Sequence, residues 1–127
     1  MKHRARLFVV LGAVSAATAV AAGAFGAHAL ADAVTPERLA TFQTGADYHL
    51  AHALALIAVG LTARRWGHPA VTAAGWLFLV GAVLFAGSLY ALVLTDTPVL
   101  GAVTPLGGVA FIAGWLCLAL GVWRTHR

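Results

Sequence analysis

Four apolar stretches, three of them long enough to cross a lipid bilayer, leave this chain few folds to choose from. Leu7 to Leu30 carries no formal charge apart from whatever His28 bears, while Ala70 to Leu94 and Pro105 to Trp123 carry none. A shorter run, Tyr48 to Ala63, follows the first of these. A helix rises about 1.5 Å per residue and the hydrocarbon core is about 30 Å thick, so roughly 20 apolar residues suffice to span it. No water reaches that core to satisfy backbone N–H and C=O groups, so runs of this length cross it as helices. The expected fold is an all-α membrane protein, a four-transmembrane-helix bundle forming a single integral membrane domain. Its spans are expected at about 7–30, 48–63, 70–94 and 105–123, with a short interfacial helix between spans 1 and 2.

Composition removes the soluble alternatives. Of 127 residues, 61% are hydrophobic and 9% charged, against about a quarter charged in a soluble domain. The isoelectric point near 10.3 does not signal nucleic acid. The eight Lys and Arg residues are divided among the N-terminus, one loop and the C-terminus, with Arg38 apart, and form no basic stripe with interleaved aromatics. The lone cysteine, Cys117, rules out a disulfide framework. The expected partners are the lipid bilayer, together with other membrane proteins or a homo-oligomer.

The start of the chain has two readings. Lys2, Arg4 and Arg6 followed by an apolar stretch and Ala27-His28-Ala29 resemble a secretory signal with a small-residue cleavage site. Signal cores run to about 15 residues, however, and this one is longer, which favours a retained helix.

Beyond it, Thr35-Pro36-Glu37 reads as a helix start, with threonine as N-cap, proline in the first turn and an acid near the positive end of the dipole. Leu39, Phe42 and Ala46 recur at spacings of three and four, the apolar edge of an interfacial helix that leads into the second span, with Gly45 as a bend. Arg64 to Pro69 is a tight basic loop, Thr95 to Pro98 breaks the third span, and Thr104-Pro105 repeats the capped start.

Charge placement tests this layout. Four spans put Lys2, Arg4, Arg6, Arg64, Arg65, Arg124 and Arg127 on one side, and Arg38 with the acids Asp32, Glu37, Asp47 and Asp96 on the other. The positive-inside rule makes the first side cytoplasmic, which predicts a multi-pass plasma (inner) membrane protein with both termini in the cytoplasm. Trp66 and Trp123 then mark the inner interface, and Tyr48 and Tyr90 the outer one.

Helices in lipid associate through close packing, which small residues permit. The fourth span carries such a stripe at Gly107, Ala110, Gly114, Cys117 and Gly121, and the first span another at Gly12, Ser15, Ala19, Ala22 and Gly26. Their spacing near 3.5 suits a left-handed crossing.

Chemistry, if present, belongs to a polar cluster near the outer ends of the spans: His28, Asp47, Tyr48, His49, His52, Ser88 and Tyr90. Ionisable groups at the lip of a span are costly unless they face water or a partner. Imidazoles from two spans suggest a metal or bis-histidine haem site, but no ligand-spacing motif supports one, and interhelical hydrogen bonding is the simpler use. No metal and no cofactor is expected. Catalytic residues are not expected either, since Ser88 lacks a Gly-x-Ser-x-Gly setting and no pair of carboxylates lies within a span.

Several blocks in order carry a family likeness. They are Gly23 to Leu30 (GAFGAHAL), Phe42 to Gly45 (FQTG), Tyr48 with His52 to Leu56, Gly87 to Tyr90 (GSLY), Thr104 to Gly108 (TPLGG), and Gly114-Trp115. Together the chain resembles the transmembrane protein 256-like family, also called domain of unknown function 423. The resemblance implies a small four-span membrane protein without an assigned activity, and a first span that is kept. Members of that family more often carry glutamine at the place of His49, which leaves His28 and His52 as the better-supported imidazole pair. The expected role is that of a non-enzymatic structural or accessory subunit. The alternative is a small transporter or proton/ion conduit using the outer cluster, with haem or metal binding behind both.

Overall fold

A computed structural model describes residues 2–125; the tail residues His126 and Arg127 lie outside it. The chain forms α1 (Lys2–Phe25), closed by a π-helical turn (Gly26–Leu30), then α2 (Pro36–Arg65) and α3 (Pro69–Thr95). A 3-10 turn (Pro98–Ala102) leads into α4 (Thr104–Arg124). The described residues hold four helical segments long and apolar enough to cross a membrane.

The starts of the helices follow from local chemistry. Thr35 caps α2, its Oγ1 accepting the Arg38 N–H at 3.3 Å, with Pro36 in the first turn. His68 caps α3 in the same manner, its Nδ1 accepting the Ala70 N–H at 3.1 Å ahead of Pro69. Histidine can do this because a neutral ring nitrogen is an acceptor. The end of α3 is set by Asp96, which takes a left-handed conformation (φ 49°) and gives its N–H to Leu92. Aspartate tolerates that region better than most side chains.

Three expectations need correction. The stretch Pro36 to Gly45 is helical, but it is the opening of α2 and not a separate interfacial helix. Gly45 does not divide the helix: it is buried within α2, and a side chain there would lie 3.1 Å from the Tyr90 ring. The glycine gives room to a neighbour. Thr104 does not cap α4 either. The preceding 3-10 turn delivers the chain already in helical geometry at Val103, and the Thr104 hydroxyl turns to α3 instead.

α1 packs along α2, α2 along α3 and α3 along α4, while α1 and α4 do not pack on each other. All three seams are antiparallel, as the facing pairs Gly12/Ile57 and Gly60/Ala5, Gly45/Tyr90 and His52/Phe78, and Gly107/Phe85 and Gly121/Val71 require. The centre is therefore the α2–α3 pair, flanked by one helix on each side. Large apolar side chains such as Val14, Leu54, Val83, Val109, Ile112 and Leu116 point outward, and small ones fill the seams. That inversion of the soluble pattern is expected where the solvent is lipid and association depends on close contact.

The seams differ in what the glycines receive. A Cβ on Gly12 would lie 2.8 Å from the Ala53 carbonyl oxygen, and one on Gly60 would lie 2.7 Å from that of Ala5, so α1 and α2 meet backbone to backbone. On α4, Gly107 faces the Phe85 backbone, whereas Gly114 seats the Phe78 ring, with a Cβ there only 2.7 Å from it. Gly107, Ala110, Gly114 and Gly121 are buried and Cys117 is half-buried. The buried apolar residues form two clusters, a larger one in which Phe8, Leu56, Val59, Val71 and Phe78 are fully enclosed and a smaller one of Leu30, Phe42, Leu92 and Val93 toward the other end of the bundle.

Candidate functional site

The polar residues expected to share one cluster fall into separate groups, and α2 decides which. Its residues 49, 53 and 57 turn toward α1, while 48 and 52 turn toward α4, because a helix advances 100° per residue. His49 and His52, three positions apart, thus leave the same helix in different directions.

His52 is 7% exposed. Its Nδ1 lies 2.8 Å from the Tyr48 carbonyl one turn earlier, and its Nε2 lies 3.1 Å from the Trp115 indole nitrogen on α4. An indole nitrogen only donates and a carbonyl oxygen only accepts, so the ring is the neutral Nδ1–H tautomer. Both nitrogens are committed. The ring lies flat on Phe111, with centroids 3.5 Å apart and planes 9° apart, and meets the edge of Trp115 at 5.8 Å. Phe78 packs against Trp115 at 4.7 Å, and Tyr48 against Phe85 at 4.6 Å. The result is an aromatic cluster of α2, α3 and α4 with one imidazole at its centre.

His49 is half-buried, with Nδ1 2.9 Å from the Tyr90 hydroxyl of α3 and Nε2 3.0 Å from Ser15 Oγ of α1. Hydroxyls both donate and accept, so either tautomer of His49 is satisfied. Beside it lies an open groove of about 290 Å³ lined by Ser15, Thr18, His49, Leu79, Val83 and Tyr90, among others. This one side chain links three helices.

Ser88 and Thr104 form a third group. Ser88 is 7% exposed and gives its single proton to the Phe85 carbonyl at 2.9 Å, so the Thr104 hydroxyl at 2.6 Å donates to Ser88. Outside the span, Arg38 pairs with Asp96 at 3.2 Å, tying the start of α2 to the end of α3.

The anticipated cluster is therefore not one site. His28 sits exposed in the π-helical turn and makes no hydrogen bond or ring contact among the described residues, so the His28/His52 pair is not assembled. Asp47 is exposed, and Tyr48 presents its ring to the His52 cluster while remaining 47% exposed. Tyr90 is half-buried and turned inward to His49. Among the described residues no group of three or more His, Cys, Asp or Glu could hold a metal ion. Sequence reasoning missed Trp115, Phe111 and Thr104 as partners. Trp115 and Thr104 do stand in the blocks that carry the family likeness, and that was the available signal.

Comparison with known proteins agrees with the architecture. The family model described as "Protein of unknown function (DUF423)" matches residues 22–108. The UPF0382 membrane protein YwdK of Bacillus subtilis is 47% identical over 116 residues, covering 91% of this chain and 94% of its own length. A UPF0382 membrane protein of Staphylococcus saprophyticus is 41% identical over 119 residues, covering 94% and 98%. No solved structure matches the chain.

Proposed function

This chain belongs to the DUF423 family of small membrane proteins, and from that membership and the polar seams we propose that it serves as a non-enzymatic structural or accessory subunit. The supporting observation is the use made of its polar groups. Both ring nitrogens of His49 and His52 engage other groups of the fold, and Ser88 is bound to Phe85 and Thr104. Side chains held in this way align helices. A nucleophile or general base presents a lone pair to a substrate, whereas the imidazole nitrogens here are engaged by groups of the fold.

The same reading puts the protein in the plasma (inner) membrane with both termini cytoplasmic. Six of the basic residues, Lys2, Arg4, Arg6, Arg64, Arg65 and Arg124, sit at one end of the bundle. That bias sets orientation during insertion. A reporter fused to the C-terminus is expected to be active in the cytoplasm, and periplasmic activity would reverse the assignment.

The accessory role is tested by purification from native membranes in mild detergent. A stoichiometric membrane partner is the expected result; a homogeneous sample of this chain alone would refute it. The conduit reading has one observation in its favour, the Ser15–His49–Tyr90 chain of hydrogen-bonding groups across three helices. It requires proton flux in proteoliposomes that His49→Ala abolishes.

A further inference from the structure

The end of the bundle at which the chain starts holds a cationic recess that none of the polar seams uses. Close approach of α1 and α2 at Gly60 brings the first turns of α1 against the last turn of α2. One cavity of about 190 Å³ is lined by Lys2, Ala5, Arg6 and Arg64. An adjoining one of about 330 Å³ is lined by Lys2, Ala63, Arg64 and Gly67. Ala5 and Ala63 are buried and too small to fill the space, so the walls are apolar and the rim is charged.

The charge is unbalanced there. All four acids of the chain, Asp32, Glu37, Asp47 and Asp96, belong to the opposite end. Arg38–Asp96 is the one ion pair among the described residues, so Lys2, Arg6 and Arg64 have no carboxylate partner within them. Three cations around shared space repel one another, and a bound oxyanion would turn that repulsion into attraction. Guanidinium groups match phosphate oxygens in paired, charge-assisted hydrogen bonds, and lysine adds a point charge. The depth is also right: Trp123, 70% exposed, and Trp66, with Arg65 stacked over its ring at 5.4 Å, stand at this end, the aromatic level of a headgroup region.

We propose that Lys2, Arg6 and Arg64 form a phosphate site at the α1–α2 end that takes the phosphate of an anionic phospholipid headgroup. Basic pockets between spans are suited to such headgroups. The inference needs only the membrane-spanning fold and holds whichever leaflet this end faces and whatever subunit role the protein has.

The test compares two double variants of the full chain with the same loss of charge, R6Q/R64Q inside the recess and R4Q/R65Q beside it. Each is purified in neutral detergent and mixed with phosphatidylglycerol, phosphatidylcholine or inorganic phosphate. Thermal unfolding and native mass spectrometry of retained lipid are the readouts. Phosphatidylglycerol is expected to raise the unfolding temperature of wild type and R4Q/R65Q above the phosphatidylcholine value. R6Q/R64Q should lose that increment and retain at least about five-fold less lipid, the two lost contacts being charge-assisted. An equal shift from inorganic phosphate, lost in the same variant, supports the site and names the free ion as its source. Equal losses in both double variants, or no preference for phosphatidylglycerol in wild type, would overturn it. Should R6Q/R64Q not fold, the single variants R64Q and R65Q carry the same comparison.

Discussion

His49 and His52 are the same residue type, one helical turn apart on α2, yet the fold gives them different work. His52 is enclosed between Phe111 and Trp115 with a donor on one side and an acceptor on the other, so a single tautomer fits. His49 stands beside an open groove between two hydroxyls, and either tautomer fits. The first position specifies imidazole by shape and by polarity; the second asks only for a polar side chain that reaches both ways. Buried polar groups matter most where every partner is fixed, because an unpaired group in a low-dielectric interior is costly.

The largest expected effect comes from closing the His52 pocket from outside. Gly114→Leu would place its Cβ 2.7 Å from the Phe78 ring that supports Trp115. Overpacking of this kind costs roughly 3 kcal/mol, at the top of its usual range. Thermal unfolding in detergent should fall far below that of Leu116→Ala, whose side chain is exposed; equal stabilities would contradict the packing.

Next is His52→Ala, which removes the ring stacked on Phe111 and leaves the Trp115 N–H without an acceptor. Loss of a buried ring costs roughly 3 kcal/mol for phenyl and somewhat less for the smaller imidazole. His49→Ala should cost less than half as much, since its site is open. A larger effect at His49, measured in the same detergent, would break the contrast between the two.

Trp115→Phe keeps the edge contact and deletes the donor. Leaving Nε2 of His52 unpaired should cost about 1 to 2 kcal/mol, and pairing it with His52→Phe should recover part of that loss. An additive double variant would show that the hydrogen bond carries no coupling. The smallest effects belong to Tyr90→Phe and His49→Gln, each near 0.6 kcal/mol, the average for an interhelical hydrogen bond in a membrane protein. Glutamine can still bridge two hydroxyls, so His49→Gln should be the milder of the two.

Much of the architecture could be read from the residues. Uncharged runs give the four spans, and Thr35-Pro36 gives the start of α2, because capping chemistry is local. His68 as the cap of α3 was less legible, since histidine seldom fills that role. The polar groups resisted prediction for a different reason. They differ in level along the bundle as well as in direction: Gly12 faces Ala53 and Gly26 faces Phe42, so His28 stands several turns along α1 from the level of His49 and His52, and spacing alone does not say which way each side chain points. His28 is exposed and Tyr90 points inward for reasons that lie in neighbouring helices: Gly26 admits the Phe42 ring, and Gly45 leaves room for Tyr90.

What the chain determines by itself is whatever depends on transfer from water to lipid or on the nearest four residues: span number, the separation of acids from arginine and lysine, the small-residue stripes, and membership of its family. What the tertiary structure decides is partnership. Rotation of α2 between α1 and α4 hands His49 to Ser15 and Tyr90 and His52 to Trp115, and the close approach at Gly60 gathers Lys2, Arg6 and Arg64 around one recess. The physical reason is that hydrophobicity has no direction around a helix axis, whereas close packing and hydrogen bonds do.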